Sequence, residues 1–375
     1  MNEIVGNVMK KVFFIICALV LSAASSFGQT SASIVWHDAS EFPLYGKATD
    51  ETLTRYERLP ASYKDISRAP LWHLGRNSAG LAIRFRSDSP FIKVRWTSMF
   101  DYSMSHMAAT GVRGLDLYIL SDGEWRFAGT GRPEEKTTEA FLVTNMEKEE
   151  REYMLYLSLY DGVDSLAVGV AESASIGQPS VALPERNCPI VMYGTSILQG
   201  GCASRPGMAH TNIIGRMFQR EVINLGFSGN AMLDYEIAEL MASVQSPGVF
   251  VLDYVPNSSV EQINEKGEKF FRILRDAHPD VPVLFLEDPI FPHSRFNKVI
   301  LEEVTKKNEA QIELFKKLKK AGEKNIYYIT SEGMIGNDGE ATVDGIHPTD
   351  LGMERYVEHV TPYIRKALKY SLKKK

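Results

Sequence analysis

Apolar and polar positions alternate along the first half of the chain. Leu81, Ile83 and Phe85 point one way and Arg84 and Arg86 the other; Ile92, Val94 and Trp96 alternate with Lys93 and Arg95. Further short apolar runs follow at 115–120, 140–143, 154–159 and 166–170, separated by turn residues such as Ser121-Asp122-Gly123 and Asp161-Gly162. A period of two with polar turns and no long helical stretch predicts an all-β sandwich or jelly roll over residues 30–178. Gly177-Gln178-Pro179-Ser180, followed by Pro184 and Pro189, reads as a stiff connector over 179–189. Beyond it the period changes. Continuous apolar runs at 190–193, 222–225, 249–254, 281–286 and 326–329 alternate with helix-period stretches at 208–218, 235–244, 260–277, 298–320 and 351–370. Strands apolar on both faces and joined by helices predict a parallel sheet in an α/β/α three-layer domain over 190–372.

In such sheets chemistry collects at the C-terminal ends of the strands. Four segments fall there in order: Gly194-Thr195-Ser196, then Gly226-Phe227-Ser228-Gly229-Asn230, then Asp253-Tyr254-Val255-Pro256-Asn257, and finally Asp344-Gly345-Ile346-His347. Each alone has a plain structural reading. A Gly-x-Ser after a strand is commonly a turn, an Asn there commonly caps a helix, and an Asp and a His three apart fit a surface turn or half a metal site. Together at one sheet edge they supply a nucleophile, a base, a carboxylate to orient the base, and donors for an oxyanion. The donors would be the Ser196 and Gly229 N–H groups and the Asn257 amide, with Gly229 leaving room for a substrate.

These four blocks resemble those of the SGNH (GDSL-type) hydrolase superfamily, and Gly114-Leu115-Asp116-Leu117-Tyr118 resembles the GxDLY signature of a β-domain that precedes some of its secreted bacterial members. The resemblance implies a flavodoxin-like hydrolase domain, Ser196 as nucleophile, Asp344 and His347 completing the triad, and Ser196, Gly229 and Asn257 as the oxyanion hole. It implies an exported esterase working without a cofactor, often on acylated carbohydrate. Two positions depart from the family pattern: Thr195 stands where Asp is usual, and Val255-Pro256-Asn257-Ser258 replaces Gly-x-Asn-Asp. Neither removes a catalytic atom, though both bear on the shape of the acyl pocket.

Composition narrows the partners. The chain carries 42 Lys and Arg against 47 Asp and Glu, with no basic stripe, which argues against a nucleic-acid partner. Lys10 and Lys11 before the apolar run 12–21 and the small residues 22–26 read as a signal peptide over residues 1–28. Removing it leaves no membrane-spanning stretch, and export to the periplasm or beyond follows. Cys188 and Cys202 remain. Their levels along the first strand differ by roughly 15 Å, too far for a bridge spanning within about 7 Å, so two free thiols are expected. No His, Cys and carboxylate set has metal-ligand spacing, and Glu287-Asp288 reads as a loop anchor.

Arg205 and His106 are candidate substrate contacts. Arg205 follows the nucleophile segment, with a salt bridge as the alternative; His106 lies on a linker that could reach over the cleft, with simple packing as the alternative. The four Trp residues all lie in the β-half, where stacking on sugar rings competes with core packing, the latter favoured for Trp96 by its register. The reading that results is a serine esterase removing small acyl groups, acetyl first, from carbohydrate. A lipid or thioester hydrolase on the same triad and an inactive carbohydrate-binding protein are the alternatives.

Overall fold

The computed structural model describes residues 33–373, so the signal-peptide expectation lies outside the described residues. The first half is a sandwich of two antiparallel sheets. One runs in the order Ile34–Asp38, Val163–Ala171, Ile92–Ser98, Thr137–Val143; the other in the order Ile176–Gly177, Ala82–Ser87, Arg151–Tyr156, Leu115–Ser121, Glu124–Gly131, with Leu44–Tyr45 added beside Ala82–Ser87. The alternation read from the sequence is what builds its core: Ile92, Val94, Trp96, Val168 and Val170 from one sheet meet Ile83, Phe85, Leu117, Tyr153 and Leu155 from the other. Each such side chain, fully buried, contributes about 1.5–3 kcal/mol of hydrophobic stabilisation.

The second half is a five-stranded parallel sheet. Its strands are β1 Glu185–Gly194, β2 Arg220–Gly226, β3 Val249–Asp253, β4 Val283–Leu286 and β5 Ile326–Ile329, in spatial order β2-β1-β3-β4-β5. The helices are α1 His210–Phe218, α2 Tyr235–Ser243, α3 Val260–Ala277, α4 Lys298–Lys320 and α5 Asp350–Lys373. Successive strand residues face opposite layers. Ile190, Met192, Val251 and Leu284 pack with α1 and α5 through Ile214, Met353, Tyr356 and Val360. Val191, Tyr193, Phe250 and Phe285 pack with α2, α3 and α4 through Ile237, Phe270, Phe271 and Leu318. This is the three-layer fold the periodicity predicts.

Two features depart from the expected outline. Strand β1 begins at Glu185 rather than 190, because Glu185 pairs with Arg220 before a register shift that ends at Ile190; Pro189, which has no N–H to donate, sits in the gap. Residues 59–75, between the Leu44–Tyr45 and Ala82–Ser87 strands of the sandwich, turn away from its core. They form the short helical pieces Ala61–Asp65 and Ala69–Gly75 and bury Leu59 and Leu71 beneath the parallel sheet, against the cluster of Tyr193 and Phe227. Arg58 anchors this strap. Only 1% exposed, its guanidinium meets no carboxylate; it donates to four backbone carbonyls, those of Asn77, Leu74, Asn224 and Gly226.

Candidate active site

The site begins where β1 ends. Thr195 turns the chain, its hydroxyl accepting from the Ile197 N–H at 3.3 Å to cap the short helical turn Ser196–Gln199. A threonine in place of aspartate therefore keeps a capping oxygen without a charge. Gly226, at the end of β2, lets this turn lie close: a Cβ there would come within 2.3 Å of the Gln199 nitrogen. Gln199, completely buried, then ties three pieces together, donating to Asn77 Oδ1 and the Leu159 carbonyl and accepting from the Ser228 N–H.

Ser196 Oγ lies 3.0 Å from His347 Nε2, and His347 Nδ1 lies 2.7 Å from Asp344 Oδ2. Asp344 uses both oxygens. Its Oδ1 accepts from the N–H groups of Ile346 and His347, at 3.0 and 2.8 Å, forming the turn that presents the imidazole. Partial burial works to raise the Asp344 pKa, but the hydrogen bonds from the His347 backbone, the His347 ring and the Ile346 backbone outweigh it and hold the carboxyl at about 2. The carboxylate is thus ionised throughout the range in which an imidazole exchanges protons. Just beyond His347, Asp350 accepts from Ser204 N and Oγ at 2.8 and 2.6 Å, fastening the Asp344–His347 segment to the segment that follows Ser196.

Gly229 and Asn257 belong to two loops tied in succession to the nucleophile turn: the Ser228 N–H donates to Gln199, and Asn257 accepts from Ala231 on the same loop as Gly229. Gly229 adopts a left-handed φ of +67°, which favours glycine, and an added Cβ would meet no protein atom within 4 Å. The position faces open space, so the backbone conformation gives a second reason for glycine beyond room for a substrate. Asn257 ends the turn after β3; its Oδ1 accepts from the Ala231 N–H at 3.4 Å, which orients Nδ2 as the free donor. Ser258, where the family pattern has Asp, donates to the Ala231 carbonyl at 3.0 Å and holds the same loop.

Of the two candidate substrate contacts, the structure brings His106 to the site and not Arg205. The His106 and His347 rings are 5.4 Å apart, centroid to centroid. The Arg205 guanidinium instead donates to Asp116 and Tyr118 at 2.8 and 2.9 Å and lies 3.8 Å over the Phe127 ring. Asp116, fully buried, also accepts from Gly207 N. The GxDLY segment thereby grips residues 205–207 of the hydrolase half. Trp96 and Trp125 are buried in or behind the sandwich, and Arg95 lies 4.3 Å over Trp36. Glu287 accepts from Ser331 N and Oγ, so it does anchor a loop. Cys188 and Cys202 are unbridged and buried.

Several residues here carry no signal in sequence. Gln199 and Asp350 are two. A third is Tyr160, whose hydroxyl donates to the Ser196 carbonyl at 3.1 Å and so links the β-half to the nucleophile turn. Cys202 is the fourth, since its thiol and the His106 and His347 rings place one donor atom each within 4.8 Å of one another.

An α/β/α sheet with a hydroxyl, an imidazole and a carboxylate in line at its C-terminal edge defines an acylhydrolase class. Family comparison agrees: residues 187–365 match the GDSL-like lipase/acylhydrolase family and residues 34–176 match the GxDLY N-terminal region of SGNH-hydrolase-type esterases. A Bacteroides ovatus protein described as a GDSL-like lipase is 40% identical over 90% of this chain and 98% of its own, with a TM-score of 0.86. The chain belongs to the GDSL-like lipase/acylhydrolase family, whose chemistry is ester hydrolysis. More distant chains share the fold over 90% of this one: the salicylyl-acyltransferase SsfX3 of a tetracycline biosynthetic pathway (16% identity, TM-score 0.70, 98% of that chain) and a family two carbohydrate esterase from Cellvibrio japonicus (11%, 0.59, 99%). No curated protein matches in sequence.

Proposed function

We propose that the protein is an exported serine esterase that removes small acyl groups, acetyl first, from carbohydrate through Ser196, His347 and Asp344. The observation that carries this reading is the unbroken relay from Ser196 Oγ to His347 Nε2, and from His347 Nδ1 to Asp344 Oδ2. With Asp344 ionised, the neutral imidazole keeps its proton on Nδ1 and its lone pair on Nε2, facing the hydroxyl. His347 takes the Ser196 proton as the oxygen attacks the ester carbonyl. The developing oxyanion is held by the Ser196 and Gly229 N–H groups and Asn257 Nδ2. His347 then protonates the departing sugar hydroxyl, and water resolves the acyl-enzyme by the same route in reverse.

The carbohydrate side of the reading draws support from a cavity of about 330 Å³ that adjoins the Asp344 turn at Gly345 and is lined by His293, Arg295, Phe296, Asp338 and Thr342. Charged and hydroxyl groups around one aromatic ring suit a polyhydroxy leaving group better than an acyl chain. The folds shared with carbohydrate esterases agree with it. Among the described residues no helix is long and apolar enough to cross a membrane. The test is acetate release from a panel of acetylated polysaccharides. Wild type is expected to release acetate from at least one, and Ser196→Ala from none while melting at nearly the same temperature. Retained turnover in Ser196→Ala removes the assignment; activity only on long-chain esters moves the substrate to lipid.

A further inference from the structure

We propose that His106, Cys202 and His347 form an inhibitory site for a thiophilic divalent cation, zinc being the representative, so that the metal and the catalytic cycle compete for one imidazole nitrogen. The inhibitory half of this proposal rests on the esterase reading above; the metal site itself does not.

The donor set is complete in kind. One thiol and two imidazoles lie with their ligand atoms all within 4.8 Å of one another. Zinc bonds to sulfur at about 2.3 Å and to imidazole nitrogen at about 2.0–2.1 Å, which puts donors of a tetrahedral set about 3.4–3.7 Å apart. Closing the cluster therefore asks for a movement of about 1 Å. The linker carrying His106 can supply it, because the His106 ring is partly exposed and makes no hydrogen bond among the described residues. Its ring stands at 51° to that of His347, tilted rather than stacked.

His347 is already prepared as a ligand. A metal-bound histidine ordinarily donates its other ring N–H to a carboxylate, which fixes the tautomer and raises the basicity of the ligating nitrogen. Asp344 provides that partner at 2.7 Å. The tautomer that makes Nε2 a general base is the one that makes it a ligand, and a metal on Nε2 leaves no lone pair for the Ser196 proton.

Cys202 occupies a left-handed backbone position, φ +70°, which glycine adopts without strain and other residues do not. Burial, with a smaller contribution from the Asp344 charge, pushes its thiol up to about 12, so the resting group is a neutral thiol. Binding breaks the S–H bond and forms a metal–thiolate bond; the proton goes to solvent and no electron is transferred. The Ser196 hydroxyl or a water fills the fourth position. A sulfur and two nitrogens select zinc, cadmium or cuprous copper over magnesium and calcium.

Metal-free protein is titrated with zinc while hydrolysis of a chromogenic acetate ester is followed, and separately with cobalt(II) while its absorption spectrum is recorded. Zinc is expected to abolish turnover reversibly, EDTA to restore it, and magnesium and calcium to do nothing. Cobalt is expected to give tetrahedral ligand-field bands and a thiolate-to-cobalt charge-transfer band. In Cys202→Ala the charge-transfer band should vanish, and the half-inhibiting zinc concentration, each variant read against its own metal-free rate, should rise about 10–100-fold or more. His106→Ala, altered on an exposed linker, should weaken cobalt binding by a similar factor. Equal zinc inhibition in wild type and Cys202→Ala, or no charge-transfer band in wild type, overturns the proposal. A charge-transfer band in a protein with no ester hydrolysis keeps the metal site and removes the esterase reading instead.

Discussion

In the proposed mechanism Asn257 is a side chain held for one task, donation to the oxyanion. Its carbonyl oxygen is occupied by the Ala231 N–H, so only the amino group is left to donate toward a developing charge. Asn257→Ala is therefore expected to lower kcat by about 10²–10³ with a smaller change in KM, because the donor acts in the transition state more than in the ground state. Steady-state kinetics on a soluble acetate ester checks this, and a change confined to KM would make Asn257 a substrate-binding residue. Ser196, Gly229, Asn257, Asp344 and His347 stand out in the sequence as candidates by residue type and by their order along the parallel half, and the structure joins three of them, Ser196, His347 and Asp344, by hydrogen bonds. Cys202 and His106 are not legible as a set. Cys202 is six residues from Ser196, while His106 comes from a linker in the other half of the chain, and nothing in either local pattern points to the other.

At the scale of elements, boundaries are sharpest where a side chain enforces them. Helix α3 starts at Val260 as the periodicity predicts, because Ser259 and Gln262 form a reciprocal capping box. Helix α4 starts at Lys298 because Asn297 accepts from the Ile300 N–H. Strand β1 extends beyond its apolar run, since its added residues owe their pairing to Arg220 in β2 and not to any apolar pattern of their own. The grip between the two halves is only half visible in the sequence: the GxDLY segment reads as a strand, and Arg205 reads as either a cleft residue or one half of a salt bridge, with nothing to name its partner. In the fold Arg205 belongs to the fully buried Asp116. Arg205→Ala would strand that carboxylate, and removing one partner of a buried pair typically costs about 3–5 kcal/mol. A lower melting temperature with KM nearly unchanged is the expected result, read by thermal denaturation beside ester kinetics. A raised KM at full stability would return Arg205 to the substrate.

For the molecule as a whole, two buried carboxyls set a pH dependence of stability. Asp253 at the end of β3 receives the Tyr356 hydroxyl at 2.5 Å. Burial, opposed by that hydrogen bond and assisted by the charge of Asp288, raises it to about 8. Burial raises Asp288 to about 7, against the attraction of Lys307. An unfolded aspartate loses its proton near ~3.9, so at neutral pH the folded chain holds protons that the unfolded chain has released. Stability is then greatest near or below about pH 4 as far as these two groups are concerned, and declines as pH rises toward about 8. As far as these groups are concerned, the melting temperature is expected to fall between about pH 4 and about pH 8, and Asp253→Asn, which keeps an acceptor for Tyr356, should flatten that slope. Differential scanning calorimetry over the range decides it; an unchanged slope would show that Asp253 is ionised in the folded protein.

The strap held by Arg58 also has a consequence for the order in which the chain is made. Two of its four acceptors, the Asn224 and Gly226 carbonyls, lie 166 and 168 residues downstream. A ribosome adding about 5–20 residues per second delivers them on the order of ten to thirty seconds after Arg58 emerges. Throughout that interval the guanidinium has only the Leu74 and Asn77 carbonyls, and Leu59 and Leu71 lack their full cover, because Tyr193 is made only late in it and Phe227 only after it. The sandwich can close its own core early, but the strap must wait as an apolar, positively charged flap. A nascent chain paused between residues 180 and 220 is therefore the form of this protein most exposed to holdase chaperones and to aggregation, and synthesis of β2 is the event that ends the exposure.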